Sequence, residues 1–478
     1  MTNIKLLNNP MGTPTYVEFC YSKDKKPVLE GSLKKYSENA TAKGFGASLG
    51  EYFIVNDGLI LVGLGEKGNF KPRFIRKAIF SALGFVKALR IATVALMLKQ
   101  FDEIITKNAV YSAYMTEYEF DKFRSKEEKK EKGKLEQVQL IIDEKFNQAM
   151  REVVEVSESI NYARTICNTP ANVASPQYMA EEARKLAKEC LLKCSVLTKK
   201  DMEKKGMNAL LAVAAGSARE PVMPILEYSA KNAKKTIVVV GKGITFDSGG
   251  ISLKPSKGMD EMKFDKSGAC AVLGIMRAVS KLRPNVNVVG VLPCTDNMPS
   301  GSATRPGDIV KAYNGKTIEI LNTDAEGRLI LADAIAYAED KYKPDYIIDL
   351  ATLTGACIVA LGVYAMGMLS NDDSFANTFK EASNASFDEL WQLPLWDEYK
   401  DMMKSKVADI KNISDTGEAG TITGAAFISN FVSKAKWVHL DIAGTAHRSK
   451  PVPPFDHGAS GSGISVVIEA IKMIEKVK

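Results

Sequence analysis

The sequence is poor in histidine, which limits the kinds of metal site that it can form. Among 478 residues there are three histidines, His439, His447 and His457, all near the C-terminal end. A zinc site built from three histidines would use all of them, and none has the HExxH spacing of zinc-dependent proteases. If the chain binds a metal ion, carboxylates must therefore supply most of the ligands.

The sequence also lacks long apolar runs. No segment approaches the roughly 18 uncharged apolar residues that a membrane helix needs, although hydrophobic residues make up 45% of the chain. The first residues, MTNIKLLNNPMGTPTYVEF, lack the basic stretch followed by an apolar run that marks a secretory signal. We therefore expect no membrane partner and a cytoplasmic protein.

Paired cysteines and a strong charge imbalance are absent as well. Seven cysteines are scattered along the chain, and Cys190 and Cys194 lack a second cysteine or histidine pair nearby that would complete a zinc site. All seven are predicted to be reduced and mostly buried. The net charge of +7 is modest for this length, so it permits DNA binding without implying it.

Several common enzyme motifs are missing or incomplete. There is no GxSxG, which argues against a Ser/His/Asp hydrolase. The segment GKGITFDSGG lacks the residue order of a phosphate-binding loop. The segment GLGEKG (63–68) fits GxGxxG, but a dinucleotide site would want an acidic residue about twenty residues further on, and RIATVALMLKQ offers none. We predict a turn and a helix start at GLGEKG.

The chain length predicts two domains. The strongest break in composition is the mixed-charge run DKFRSKEEKKEKGKLEQ (121–137), which predicts a solvated loop or helix end. Before it, EYFIVNDGLILVGLG reads as two strands joined at Asn-Asp-Gly, followed by a helix over about 70–89 and the strand IATVALML. We predict a small N-terminal α/β domain with a linker helix over 1–150 and a larger C-terminal domain over 151–478.

Apolar strands and helices alternate in the larger domain. The runs TIVVVG (236–241), VNVVGVL (286–292) and DYIIDLA (345–351) read as strands, with helices at about 268–282 and 329–342. This alternation predicts an α/β fold with a central, mostly parallel sheet flanked by helices. Binding sites in such sheets form at the carboxyl ends of the strands.

Charged residues on glycine-rich turns follow these strands. They are Lys242, Asp247 and Lys254 in GKGITFDSGGISLKP, Asp265 in MKFDKSGA, and Asp324, Glu326 and Arg328 in LNTDAEGRLIL. Taken singly, each has an ordinary explanation, such as a helix N-cap, an Asx turn or a solvated lysine. Together they indicate a buried site, because buried carboxylates need cations.

Two divalent ions offer such cations. Four carboxylates suit them as ligands: Asp247, Asp265, Asp324 and Glu326. The spacing of Asp324, Glu326 and Arg328 fits an extended or turning backbone, in which every second side chain points to one side. The glycine between Glu326 and Arg328 lets the backbone approach a ligand closely.

The octapeptide NTDAEGRL (322–329) resembles the signature of the leucine aminopeptidases, also called cytosol aminopeptidases. VGKGITFDSGGISLKP, MKFDKSGA, NMPSGSATRPGDI and DLATLTGA resemble further segments of that family in the same order. The resemblance runs from about Asn161 to the C-terminus, and the first domain is assigned by position only. It implies that the range 151–478 is a catalytic aminopeptidase domain.

Position by position, the resemblance implies a site with two metal ions. The tighter ion would be held by Lys242, Asp247, Asp265 and Glu326, with the lysine as a neutral amine. The more exchangeable ion would be held by Asp247, Asp324 and Glu326. Lys254 would be a catalytic electrophile, and Arg328 would anchor a bicarbonate ion with help from the backbones of Gly327 and Leu353.

The resemblance also implies a mechanism and partners. Water activated by the two ions attacks the peptide, bicarbonate is the general base, and Lys254 stabilises the oxyanion. Family members form homohexamers, as dimers of trimers, and remove an apolar N-terminal residue, often Leu, from peptides with a free N-terminus. Their metal is zinc, manganese or magnesium. Some bacterial relatives also bind DNA, and that additional regulatory role stays open for this chain.

The pocket for the first side chain is implied to be lined by Met262, Thr352, Gly355 and Ala443. The sequence departs from the family pattern near this pocket. Lys266 follows Asp265 where Met is more common, and His447 stands where many relatives have Trp. Lys266 is expected to point away from the ions or to find a carboxylate, and His447 to be structural or pocket-lining.

Overall fold

The computed structural model describes residues 2–125 and 135–477, so part of the mixed-charge run 121–137 lies outside the described residues. The chain divides into two compact units, 1–161 with 449–457, and 162–448 with 458–478. In sequence the first unit gives way to the second within the helix Asn147–Asn168. The functional domain assignment over 1–150 and 151–478 stays a prediction. No helix in the described ranges is long and apolar enough to cross a membrane.

The first unit is built on one sheet. Its strands are β1 (Asn3–Leu7), β2 (Thr15–Lys23), β3 (Lys26–Val28), β4 (Tyr52–Asn56), β5 (Leu59–Glu66), β6 (Thr93–Met97) and β7 (Gln137–Ile141). Their spatial order is β1-β7-β6-β2-β5-β4, with β3 beside β2. The helices are α1 (Ser37–Ala42), α2 (Ile75–Ala88), α3 (Glu103–Thr116) and the start of α4 (Asn147–Asn168). The predicted hairpin at Asn-Asp-Gly is confirmed, since β4 pairs antiparallel with β5.

The segment GLGEKG agrees only in part with the predicted turn and helix start, because a 3-10 helix (Lys67–Asn69) begins at its fifth residue. Its first two glycines, Gly63 and Gly65, lie inside β5, and α2 begins only at Ile75. The reason for glycine here is close packing, because a Cβ at Gly63 would lie 2.2 Å from the carbonyl oxygen of Ser48. These glycines thus have a structural explanation that needs no nucleotide.

The second unit contains a larger sheet and three small ones. Its strands are β8 (Lys193–Leu197), β9 (Met223–Tyr228), β10 (Thr236–Gly241), β11 (Gly243–Asp247), β12 (Asn287–Val291), β13 (Cys294–Asn297), β14 (Asp308–Lys311), β15 (Thr317–Ile320), β16 (Tyr346–Ala351), β17 (Met366–Ser370), β18 (Leu390–Gln392), β19 (Ile410–Lys411), β20 (Lys436–Asp441), β21 (His447–Arg448) and β22 (Gly458–Ala459). The large sheet has the order β18-β17-β20-β16-β10-β12-β9-β8. Its centre, from β20 to β12, is parallel, whereas β17 and β9 pair antiparallel with it.

Helices cover this sheet. They are α5 (Pro176–Cys190), α6 (Lys199–Lys205), α7 (Asn208–Ala214), α8 (Ser267–Leu282), α9 (Gly327–Tyr342), α10 (Gly355–Leu361), α11 (Asp373–Ala385), α12 (Asp397–Asp401), α13 (Gly420–Ser429) and α14 (Ile464–Lys476). Alternate residues of β10, Val238 and Val240, join one apolar cluster with side chains of α9 and α13. Since successive strand residues face opposite sides, the other face of β10 is left for helices such as α8, which contacts the same strand. The predicted α/β class with a mostly parallel central sheet and flanking helices is confirmed.

The parallel strands bring several loops to one edge of the sheet. Lys242 follows β10, the segment 352–354 follows β16, and the segment 442–446 follows β20. The helices α8 and α9 begin at the same edge, where Ala269 N donates to Lys242 O and Lys242 N donates to Leu350 O. Carboxyl ends of parallel strands thereby converge on the residues that the sequence singled out.

Candidate metal centre

Three buried carboxylates converge at this edge. Asp247 ends β11, Asp265 lies in the short 3-10 helix Met259–Lys266, and Glu326 directly precedes α9. Each offers one carboxylate oxygen, and these oxygens all lie within 4.8 Å of one another. The three residues are 1–7% exposed, so their charges are shielded from bulk water. A cluster of this kind demands cations.

Two lysines lie among these carboxylates. Lys242 Nζ is 2.9 Å from Asp265 Oδ2 and 2.7 Å from Glu326 Oε1. Lys254 Nζ is 2.8 Å from Asp247 Oδ2 and 2.6 Å from Asp324 Oδ1. The structure therefore brings together all five predicted metal ligands and the predicted catalytic lysine.

Burial and mutual repulsion shift the pKa values in this cluster. Burial, reinforced by the charge of Asp247, raises the pKa of Glu326 to about 8. The same two causes raise the pKa of Asp324. Burial acts to lower the pKa of Lys242, but the carboxylates of Asp265 and Glu326 outweigh it, and the pKa of the lysine is raised. The four carboxylates of the cluster carry more negative charge than its two lysines neutralise, and this excess adds to burial in raising the pKa values of Glu326 and Asp324.

For Asp247 and Asp265, the carboxylate oxygen that faces away from the lysines is held by neutral donors. Asp247 Oδ1 accepts hydrogen bonds from Asn297 Nδ2 at 2.8 Å and from Gly249 N at 2.9 Å. Asp265 Oδ1 accepts one from Thr352 Oγ1 at 2.6 Å. Each aspartate thus has one oxygen fixed by the fold and turns the other, Oδ2, toward the lysine ammonium groups. Such outer contacts orient ligands in metal sites.

The donor set fits a divalent metal ion. Within the described part of the chain, Asp265 Oδ2, Asp324 Oδ1 and Glu326 Oε1 are buried and have no hydrogen-bond partner beyond their ion pairs with the two lysines. Carboxylate oxygens suit manganese, zinc or magnesium, and Lys242 would add a nitrogen ligand only as the neutral amine, which the charge of a bound ion favours. The residues present are therefore compatible with the implied metals.

Gly327 packs directly against Lys242. A Cβ at this position would lie 2.7 Å from Lys242 Cε and 2.8 Å from its Nζ. Gly327 is also the first residue of α9. The glycine leaves room for the lysine to reach Asp265 and Glu326, in addition to the backbone role that the resemblance implies.

Gly327→Ala should displace Lys242 and weaken metal binding by roughly tenfold or more, the usual cost of disturbing the surroundings of a metal ligand. Alanine suits a helix better than glycine, so the helix itself should not suffer. Calorimetric titration with Mn²⁺ measures the affinity. Gly84→Ala in α2 is the control, because a Cβ there meets nothing within 4 Å. Unchanged Mn²⁺ affinity in Gly327→Ala would contradict the packing argument.

Arg328 lies in the first turn of α9, so of the two predicted alternatives, an extended or a turning backbone, the chain adopts the turning one. Glu326 already has helical backbone angles, φ −84° and ψ −32°, so the chain has turned before Arg328. Arg328 is 6% exposed; one of its terminal nitrogens donates to Asn412 O at 2.6 Å, and its Nε has no hydrogen-bond partner. Burial lowers the pKa of Arg328 to about 10, against the opposing charges of Glu326 and Asp441. A buried guanidinium with an open donor suits a small anion.

The remaining predicted backbone and pocket residues either follow β16 and β20 or share the 3-10 helix of Asp265. Leu353 N donates to Asp441 Oδ1 at 3.2 Å, and Ala443 N donates to the same oxygen at 3.1 Å. Thr352 contacts the cluster itself, since its carbonyl accepts from Lys242 Nζ at 2.9 Å. Met262 lies in the 3-10 helix with Asp265, and Gly355 opens α10. Their role as a side-chain pocket stays a prediction.

Lys266 and His447, the two departures from the family pattern, each have defined contacts in the structure. Lys266 is fully buried and donates to the backbone carbonyl of Thr169 at 3.0 Å. Of the two expectations, that it points away from the ions or finds a carboxylate, the second is wrong, because its acceptors are backbone carbonyls. His447 stacks on Phe264 with ring centroids 4.7 Å apart, and its Nε2 lies 3.4 Å from Glu261 Oε2. Burial lowers the pKa of His447.

Sequence reasoning missed several buried polar residues near the site. Asn297 holds Asp247, and Asn412 contacts both Arg328 and the signature loop. His439 Nδ1 lies 2.7 Å from Asp349 Oδ1, and both residues are fully buried. The available signal was a polar residue inside an apolar strand, as in DYIIDLA and WVHLDIAG. Polar groups in such strands need partners, and so mark sites or networks.

Two family models and several curated proteins match the chain. The model described as cytosol aminopeptidase family, catalytic domain, matches residues 161–468, and that of the N-terminal domain of the same family matches 29–127. A probable cytosol aminopeptidase of Cenarchaeum symbiosum (strain A) is 42% identical over 456 residues, 93% of this chain and 92% of the relative. One of Geobacter sp. (strain M21) is 40% identical over 487 residues, 97% of this chain and 98% of the relative.

A solved structure is similar over nearly the whole chain. The bottromycin maturation enzyme BotP in complex with Mn has a TM-score of 0.87 at 31% identity, and the match covers 97% of this chain and 100% of BotP. The resemblance noted at the signature octapeptide therefore extends to both domain models and to the fold. The chain belongs to the cytosol aminopeptidase family.

Proposed function

We propose that the chain releases the N-terminal residue, preferably Leu or another apolar residue, from peptides with a free N-terminus. Membership of the family makes it an aminopeptidase, a hydrolase that depends on divalent metal. The observation that carries the proposal is the buried group of Asp247, Asp265 and Glu326, with carboxylate oxygens within 4.8 Å of one another. The preference for apolar residues rests on the resemblance alone.

The proposed ligands divide between two ions. Lys242, Asp247, Asp265 and Glu326 would hold the tighter ion, and Asp247, Asp324 and Glu326 the more exchangeable one. Asp247 and Glu326 would therefore be shared. Manganese or zinc is proposed, with magnesium as a further alternative, and the Mn complex of the structural neighbour BotP supports manganese.

The two lysines would have different roles because they differ in exposure. The side chain of Lys242 is 4% exposed and that of Lys254 is 21% exposed. Lys254 can therefore reach a substrate, and its ammonium would donate to the carbonyl oxygen that becomes negative during attack. Lys242 is enclosed by Asp265 and Glu326, which suits a ligand and not a group that meets substrate.

Arg328 would hold the proposed bicarbonate ion. Its Nε is buried without a hydrogen-bond partner, and one terminal nitrogen is fixed by Asn412 O, so the orientation of the guanidinium is set before an anion arrives. When bound, the metal ions would lower the pKa of a water molecule, and bicarbonate would be the base for its proton. The chain itself supplies the placement of both groups beside Lys254.

Three further features of the proposal come from the family. A homohexamer, as a dimer of trimers, is proposed from the resemblance. A cytoplasmic location is supported by the names of the relatives, which are cytosol aminopeptidases. The additional DNA-binding role is known only from some relatives in the resemblance, the net charge of +7 merely permits it, and it stays a prediction.

Metal-stripped protein reloaded with Mn²⁺, Zn²⁺ or Mg²⁺ in turn should cleave leucyl p-nitroanilide with at least one of the first two ions, and a chelator should abolish the activity. Removing bicarbonate from the buffer should lower the rate, and restoring it should recover the rate. Cleavage rates of a panel of p-nitroanilides that differ in the N-terminal residue measure the substrate preference. The blocked substrate N-acetyl-leucyl p-nitroanilide is the control. No cleavage with any ion would refute the proposal, and rapid cleavage of the blocked substrate would refute the exopeptidase assignment.

A further inference from the structure

Asn412 lies directly after β19 and is fully buried. Its side-chain oxygen accepts hydrogen bonds from Leu321 N at 2.9 Å and Asn322 N at 3.3 Å. Its side-chain nitrogen donates to Asn322 O at 2.7 Å and to Ala325 O at 3.4 Å. One side chain thus binds the backbone of the signature loop at three residues.

The backbone of Asn412 contacts both ends of the same loop. Its N–H donates to Glu319 O at 3.0 Å, in the strand β15 that precedes the loop. Its carbonyl accepts from Arg328 at 2.6 Å, in the helix that follows the loop. Strand, loop and helix are therefore all held to a single residue.

The loop needs such a partner because it has no regular hydrogen-bonded structure of its own. Residues 321–326 form turns between β15 and α9, and buried backbone groups in a turn must find partners elsewhere. An amide side chain offers one acceptor and one donor group side by side, which an aspartate or a leucine of similar size does not. Asp324 and Glu326, two of the proposed ligands, stand on this loop.

We propose that Asn412 is a positioning residue that fixes the ligand loop and the Arg328 guanidinium in a defined position relative to each other. This inference rests on the proposed function of the site. The metal ligands and the anion-binding group would then be set relative to each other by one residue that touches neither substrate nor metal. Such a link would fix the position of the Arg328 guanidinium relative to the carboxylates of Asp324 and Glu326, which would hold the metal ions.

The opposite side of the loop is held separately. Asn297 Nδ2 donates to Thr323 O at 3.0 Å as well as to Asp247. Loss of the Asn412 side chain would therefore loosen the loop without releasing it. We expect the metal affinity to be weakened and not abolished.

Asn412→Ala tests the proposal, with Asn371→Ala as the control. Asn371 makes the same pair of backbone contacts elsewhere in the unit, since its nitrogen donates to Ala435 O at 3.0 Å and its oxygen accepts from Trp437 N at 2.7 Å. Mn²⁺ affinity is measured by calorimetry, and kcat and KM are measured with leucyl p-nitroanilide, well below both melting temperatures. Asn412→Ala should weaken Mn²⁺ binding and lower kcat by roughly 10- to 100-fold, with a smaller change in KM. Asn371→Ala should change neither.

Asn412→Asp keeps the acceptor for Leu321 N and Asn322 N but loses the N–H groups that donate to Asn322 O and Ala325 O. It tests the positioning role if the alanine variant does not fold. It should show the same losses in Mn²⁺ affinity and kcat. Mn²⁺ affinity equal to that of Asn371→Ala in the folded Asn412 variants would overturn the positioning role. An inactive wild-type enzyme would instead overturn the proposed function, and the calorimetric comparison would still decide the role of Asn412.

Discussion

Glu326→Ala should abolish both tight metal occupancy and turnover. Glu326 is the proposed shared ligand nearest Lys242, at 2.7 Å, and its carboxylate oxygen lies within 4.8 Å of oxygens of Asp247 and Asp265. Alanine removes a ligand from both proposed ions at once and leaves Lys242 with Asp265 as its remaining partner in the cluster. Elemental analysis after dialysis gives the metal content, and leucyl p-nitroanilide gives the turnover.

Glu339→Ala is the matched control, because this glutamate lies in α9, the helix that Glu326 directly precedes, and is 9% exposed. Its carboxylate accepts hydrogen bonds from the backbone N–H groups of Ser433, Lys434 and Ala435. The control should therefore lower the melting temperature while it keeps metal and activity. A Glu326→Ala enzyme that still holds two equivalents of Mn²⁺ per chain would contradict the shared-ligand assignment.

Lys254→Met should lower kcat by roughly 100- to 1000-fold, the cost of losing one donor to a developing oxyanion. The side chain is 21% exposed and ends between Asp247 Oδ2 and Asp324 Oδ1, so methionine keeps its length but removes the ammonium. Metal binding should persist, since removing a positive charge leaves the carboxylates more available to cations. Steady-state kinetics and Mn²⁺ calorimetry together separate the two effects.

Lys257→Met controls for the loss of a positive charge in the same loop. Lys257 is exposed, and the variant should retain wild-type kcat and Mn²⁺ affinity. If Lys254→Met kept kcat while it lost Mn²⁺, the lysine would be acting on metal binding and not on the oxyanion. That result would refute its proposed catalytic role.

The centre of the second sheet is predictable from the sequence, and its edges are not. TIVVVG and VNVVGVL coincide with β10 and β12, because a strand buried on both faces is a continuous apolar run. The antiparallel pairing of β9 with β12 and of β17 with β20 has no such signature. Strand direction at an edge depends on how the chain connects, which composition does not record.

The charged residues of the site are predictable from a motif, but their supports are not. The sequence pattern singles out Asp324 and Glu326, because they are charged residues on a glycine-containing turn between apolar elements. Asn412 is separated by 91 residues from Leu321 and by 84 from Arg328, and a lone asparagine after a two-residue strand is unremarkable in sequence. Its significance comes only from tertiary contacts, which is why local pattern analysis misses it.

Residues 449–457 belong to the first unit although the chain on either side of them belongs to the second, and this limits how the protein can be cut into fragments. Within that unit, Phe455 packs on Tyr111 with ring centroids 6.5 Å apart, and Pro454 O accepts a hydrogen bond from Thr116. An expressed fragment that began at residue 162 would keep 449–457 and lose both partners, so an apolar ring would face water. A single cleavage therefore does not isolate the metal-bearing unit. A workable fragment would also need 449–457 replaced by a short polar linker.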